Sequence, residues 1–364
     1  MMFDRRLLQN FDWILLLLLI FIGTISITNL YSATYPGGTQ ILIKQIYWYL
    51  IGFAVLLMMT TFDYHVLERL AWPIYLLSMS LLVLVLIIGK VSSGSQRWLS
   101  LGFINFQPSE LAKLSIVIIL SQFFSTHGEY DDYRLRDLWL PFLLILLPCV
   151  VIAREPDLGS ALVLAIIAFS IILIMKIRWG SLLFLLLTIS AAVPFVWFNL
   201  KEYQKKRIFT FLNPESDPLG AGYHIIQSKI AVGSGLLGGK GFLNGTQTRL
   251  RFLPEQHTDF AFSVWAEEWG FFGSAFLLIL YLFLILWGIN IAKNSKDKFG
   301  SLLAIGITAI VFWQVAINVC MTIGLMPVVG IPLVLFSYGG SSILSTMLGM
   351  GLLMNISMRR FMFQ

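Results

Sequence analysis

Ten long apolar runs separated by polar links constrain this chain more than anything else in it. They lie near 11–30, 47–61, 71–89, 111–124, 138–153, 158–177, 181–200, 271–292, 301–326 and 341–356. A helix of about 20 apolar residues crosses the hydrocarbon core of a bilayer, and backbone in lipid must satisfy its own hydrogen bonds. Composition agrees, with 58% hydrophobic and 12% charged residues in 364, where a soluble domain carries about 25% charge. A soluble globular enzyme is excluded, as is disorder. The expected fold is an all-α polytopic membrane protein of about ten transmembrane helices. It would form a single membrane domain over 1–364, with a large extracytoplasmic loop at 201–258 between helices 7 and 8. The first run exceeds the roughly 7–15 residues of a signal-peptide core and reads as a retained helix. The fourth and fifth runs are short, predicting tilted, broken or shielded helices.

Charge sets the expected orientation. With the N-terminus inside, the cytoplasmic segments hold twelve basic residues, including Arg5, Arg6, Lys176, Arg178, Lys293, Lys296 and Lys298, against five in the short outer segments. That bias predicts both termini in the cytoplasm; the long 201–258 segment holds eight more basic residues but translocates largely regardless of charge. The net charge of +6 therefore reads as topology and anionic-lipid contact, not nucleic-acid binding. Cys149 and Cys320 fall in apolar runs and read as small hydrophobes.

The outer links carry the chemistry. In Arg251-Phe-Leu-Pro-Glu-Gln-His-Thr-Asp259, the aspartate sits where the chain passes from water into membrane. It suits either a general base at the interface or, with Thr258, a helix cap. Glu267 lies about 12 Å further along a helix, too far to pair with Asp259, so Glu267 and Glu268 read as structural or as a cation or partner contact. Glu110 and Lys113 share a helix face, as a neutralising pair with Lys113 snorkelling or as an anion site with Arg97 nearby. Asp157, in Arg154-Glu-Pro-Asp157-Leu-Gly, suits an N-cap. The run Tyr203-Gln204-Lys205-Lys206-Arg207 suits a solvated basic face or contact with lipid phosphate. Gly233-Ser-Gly-Leu-Leu-Gly238 matches a dinucleotide pattern but lacks the strand–helix context that pattern requires, leaving tight or flexible backbone as its role. The four histidines, His65, His127, His224 and His257, show no metal-ligand spacing. No tightly bound cofactor is expected; a loosely held divalent cation (Mg or Mn) near the carboxylates stays open.

Five stretches resemble signatures of one bacterial family. They are Gln107-Pro-Ser-Glu-Leu-Ala-Lys, Glu155-Pro-Asp-Leu-Gly-Ser-Ala, Asp217-Pro-Leu-Gly-Ala-Gly-Tyr-His-Ile-Ile-Gln-Ser, Leu253-Pro-Glu-Gln-His-Thr-Asp-Phe and Gly330-Ile-Pro-Leu-Val-Leu-Phe-Ser-Tyr-Gly-Gly-Ser-Ser. In this order along the chain they resemble the SEDS proteins of shape, elongation, division and sporulation, and within these the RodA-like branch, with the FtsW-like branch next. Leu236, where Gly is common, and Ala261, where Ile is common, depart from the pattern. The resemblance implies a ten-helix peptidoglycan glycosyltransferase that polymerises lipid II on the outer face of the bacterial cytoplasmic (inner) membrane, for cell elongation and rod shape. It implies a class B penicillin-binding protein, a transpeptidase, as partner. It implies Asp259 as the catalytic carboxylate, and Arg97, Glu110, Lys113, Asp157, Gln204 and Arg207 as substrate-binding. The alternative is a lipid II flippase, whose polar residues would line a path to both faces; a scaffold for partner proteins is third.

Overall fold

The computed structural model describes residues 10–35, 38–92, 95–101, 104–126, 133–175, 177–199, 202–217, 220–253 and 255–360. Arg5, Arg6, His127, Lys176, Lys201 and, within the quoted motifs, Gly94, Pro218, Leu219 and Pro254 lie outside these, as does the side chain of Tyr203.

Each apolar run becomes a helix: α1 (Trp13–Thr34), α2 (Gln40–Thr61), the short α3 (His65–Arg69), α4 (Ala71–Ile88), α5 (Pro108–Thr126), α6 (Trp139–Arg154), α7 (Leu158–Ile174) and α8 (Trp179–Asn199). After the outer segment come α12 (Ala261–Lys293), α13 (Lys298–Thr322) and α14 (Gly340–Arg359). Among the described residues, eight helices are long and apolar enough to cross a membrane, and α7 is a shorter apolar helix. The second run starts earlier than its hydropathy suggests, at Gln40, because Lys44 and Gln45 are carried within the helix. Pro148 lies inside α6, one of the two short runs.

Two polar stretches hold structure that their sequence did not announce. Between α4 and α5, β1 (Lys90–Ser92), β2 (Ser95–Leu101) and β3 (Ile104–Phe106) form an antiparallel sheet in that order. The long segment before α12 contains α9 (Glu202–Leu212), α10 (Ala221–Ser234) and α11 (Thr246–Arg249).

Burial sorts the spans. In α14, α5 and α13, 89%, 78% and 67% of the apolar window is covered by protein, against 28% in α2, α4 and α6, so the former make the centre and the latter face lipid. At that centre lies an unusual stretch, the non-helical backbone 326–339, with Ile331, Leu333, Val334, Leu335 and Phe336 fully buried. Irregular backbone survives away from water only where protein satisfies it, and here side chains from four helices do so. Asn318 of α13 donates to the Ile331 carbonyl at 2.7 Å, and Tyr281 of α12 to Val334 at 2.5 Å. Tyr49 of α2 donates to Leu335, Ser26 of α1 to Phe336 at 2.7 Å, and Gln45 of α2 to Ser337 at 3.1 Å.

Helix ends segregate to two faces. Asp12, at the start of α1, accepts from Trp287 and from Ser357 near the ends of α12 and α14, and Tyr64 donates to Asp297. The opposite face carries the sheet, α9–α11 and the outer motifs.

Candidate active site

Asp259 ends an irregular turn, and its carboxylate is not a cap. Helix α12 is N-capped by Phe260 with no side-chain cap bond, and the Thr258 hydroxyl bonds Glu255 instead. Among the described residues no donor is hydrogen-bonded to the carboxylate. What is held is the backbone: Asn318 Nδ2 donates to the Asp259 carbonyl at 2.9 Å as well as to Ile331, locking the aspartate to the buried 326–339 stretch. Gly330 has φ 74°, a conformation that favours glycine, and a Cβ there would stand 3.5 Å from Asp259 Oδ2. The carboxylate therefore faces a wall of bare backbone.

Its charge environment is mixed. Burial raises the Asp259 carboxyl to about 6, helped by Glu255 and Asp157 and opposed by Arg97 and Arg207. Three outer elements thus converge on it: strand β2 with Arg97, the α6–α7 turn with Asp157, and α9 with Arg207. Asp157 caps α7 as its sequence suggested, accepting from Ser160 N at 3.1 Å. It also holds Arg97, whose Nε lies 3.5 Å from Asp157 Oδ2. Two residues earlier, fully buried Glu155 was not singled out as a site residue. Burial raises its carboxyl to about 8, with Asp157 raising and Arg97 lowering it, so it is neutral at pH 7. Its signals in the sequence were adjacency to Asp157 and its place at the head of the Glu155-Pro-Asp-Leu-Gly stretch.

Gln204 is buried on α9, while its neighbours Lys205 and Lys206 pair with Glu202 at 3.7 Å and Asp217 at 3.0 Å. Glu110 and Lys113 sit apart from this cluster. Lys113 does not snorkel: it is 3% exposed and bonds Glu110 at 2.8 Å, and Glu110 also accepts from Ser345 of α14 at 3.1 Å. This pair lines a small cavity between α5, α13 and α14. Ser341 ties α14 to this end of α5, accepting from Gln107 N and donating to the Asn105 carbonyl.

The glycine-rich loop has a structural task. Helix α12 breaks at Gly270 (φ 63°, ψ −158°), which frees carbonyls before the break and amides after it. The loop supplies the missing partners: Lys240 and Gly241 amides donate to the Glu267 and Glu268 carbonyls, and Phe271 and Phe272 amides donate to Leu236 and Leu237. The carboxylates of the acidic pair bind the same loop. Glu267 accepts from Lys240 Nζ at 2.7 Å and Gln247 N at 3.1 Å, and Glu268 accepts from Ser32 of α1. Both glutamates are structural.

Among the described residues no three His, Cys, Asp or Glu side chains group as a metal site. The carboxylates around Asp259 are interleaved with Arg97 and Arg207.

The cell cycle protein model that covers FtsW, RodA and SpoVE matches residues 9–361. The peptidoglycan glycosyltransferase MrdB of Escherichia coli K12 is 42% identical over 313 residues, covering 86% of this chain and 84% of that one. The peptidoglycan glycosyltransferase RodA of Treponema pallidum is 32% identical, covering 98% and 99%. Among solved structures, a chain of a peptidoglycan synthase complex that coordinates polymerization and crosslinking superposes with TM-score 0.84 at 34% identity, covering 96% of this chain and 98% of that one. The Thermus thermophilus rod shape determining protein RodA superposes with TM-score 0.73 at 30% identity, with the same coverage.

Proposed function

The chain belongs to the FtsW/RodA/SpoVE family, the SEDS proteins, and from that premise we infer that the outer cluster around Asp259 polymerises lipid II with Asp259 as general base. The enzyme is a peptidoglycan glycosyltransferase of the membrane, with relatives of that name at 42% identity, and cell elongation is the role that fits its rod-shape relatives. The observation that carries the site reading is the state of Asp259: uncapped, raised to about 6, and locked through its own carbonyl.

In the proposed step, a GlcNAc hydroxyl of the acceptor attacks the anomeric carbon of the lipid-linked donor. The new C–O bond forms as the bond to the diphosphate oxygen breaks, inverting α to β. The hydroxyl proton passes to the Asp259 carboxylate, and the bonding pair leaves on undecaprenyl diphosphate. General-base help of this kind contributes about 10²–10⁴-fold. A diphosphate needs no acid to leave but does need charge compensation, which Arg97 and Arg207 are placed to give. Asp157 fixes the Arg97 fork and is a positioning residue. Glu110, Lys113 and Gln204 are proposed to contribute to substrate binding, the first two from the wall of the small cavity between α5, α13 and α14.

A class B penicillin-binding protein is the proposed partner, supported by the likeness to a complex that couples polymerization to crosslinking. Both termini are proposed to be cytoplasmic, a reading supported by the basic excess on the face that carries Arg69, Lys293, Lys296, Lys298 and Arg359.

The test is polymerisation of purified lipid II by this chain, alone and with a penicillin-binding protein lacking its own glycosyltransferase activity. Asp259→Asn should abolish glycan formation in both conditions while leaving the detergent-solubilised chain folded. Near-normal polymer from that variant overturns the base assignment; wild-type protein that translocates lipid II without polymerising it points to the flippase.

A further inference from the structure

A second opening lies at the opposite end of the bundle from Asp259. It is an open cavity of about 360 Å³ between the end of α7, the α12–α13 turn and the first turns of α13. Lys293, Lys296 and Lys298 all line it. The one acid on its wall is Asp297, whose carboxylate is engaged by the protein: it accepts from Gly300 N at 2.8 Å and from the Tyr64 hydroxyl, with His65 Nε2 at 3.6 Å. Ser295 and Ser301 add hydroxyls, and the rest of the lining is apolar, including Ile174, Leu302 and Ile305. Ile174 is 51% and its neighbour Leu173 49% exposed at the end of α7.

Basic residues that only fix topology need no shared cavity and no apolar wall. Here three lysines line one open site together with apolar side chains, a pairing of chemistries that matches a phosphate diester joined to a hydrocarbon chain. We propose that this cavity binds one anionic phospholipid, with the lysines around its phosphate and an acyl chain along Ile174 and Ile305. The site is separate from the Asp259 cluster and does not rest on the reading of Asp259.

The experiment titrates the purified full-length chain with phosphatidylglycerol and with phosphatidylcholine of identical acyl chains, counting bound lipid by native mass spectrometry. Wild-type protein should retain one phosphatidylglycerol in preference to phosphatidylcholine. Lys293→Gln, Lys296→Gln and Lys298→Gln should each weaken it about fivefold, and together roughly 100-fold. Lys44→Gln, an exposed lysine elsewhere, should change nothing. The triple arginine variant K293R/K296R/K298R should keep binding, which separates loss of charge from loss of fold. Equal retention of the two lipids, or wild-type binding by the triple glutamine variant, overturns the proposal. Displacement of phosphatidylglycerol by inorganic phosphate at comparable concentration overturns its lipid part and leaves a free-anion site.

Discussion

Asp259 has an ordinary carboxylate pKa of 3.8 raised to about 6, first by burial and then by Glu255 and Asp157. A base is useful only when ionised, so polymerisation should rise with pH through about 6 and level above it; a rate flat from pH 5 to 8 would separate Asp259 from the proton transfer. The same shift bears on stability. The folded state holds the proton more tightly than the unfolded chain, so this group's contribution is full below 3.8 and is lost as pH rises through about 6. About two pK units at 1.36 kcal/mol each set a ceiling of about 3 kcal/mol, and the group's partial exposure reduces that to about 1–2 kcal/mol. Asp259→Asn should therefore be inactive and yet melt higher than wild type at pH 7.5, with the gap closing towards pH 4. A variant that melts lower at both values would show the carboxylate to be structural.

At the scale of elements, the break in α12 joins the glycine-rich loop to the helix that follows Asp259. Gly270 sits at φ 63°, where a side chain costs about 1–2 kcal/mol, and an added Cβ would also press on the carbonyls of Gly235 and Leu237 at 2.8 Å. Gly270→Ala should lower the melting temperature and open the 235–249 loop to protease. Unchanged melting with an intact loop would mean that the break is not held by these contacts. The sequence made the acidic pair and the glycines visible but not their connection. Four backbone groups freed by a discontinuity leave no mark in hydropathy, and the loop that satisfies them is some thirty residues upstream. The strands β1–β3 were equally hidden, since Lys90–Phe106 alternates too weakly to separate a small sheet from a loop.

Across the whole molecule, the ten apolar runs were legible as helices, eight of them long and apolar enough to span among the described residues, because lipid leaves a chain little choice but helices about 20 residues long. The cluster of Arg97, Asp157, Arg207 and Asp259 was legible as a set of outer residues. That Glu110 and Lys113 bond each other inside the bundle was open in the sequence, since one i,i+3 spacing serves a buried pair and a binding site equally. The proposed orientation rests on the same basic bias and is checked directly. In a chain freed of Cys149 and Cys320, Arg251→Cys should react with an impermeant maleimide in intact cells, and Asn294→Cys only after permeabilisation; the reverse pattern inverts the topology. The buried stretch 326–339 has its own consequence at this scale. Ser26, Gln45, Tyr49, Tyr281 and Asn318 come from four helices, yet each serves a carbonyl of one short segment. Substitutions that share a partner do not add, so these five positions form one epistatic group despite their separation in sequence: the first loss loosens the segment, and each later loss removes a bond that has already weakened.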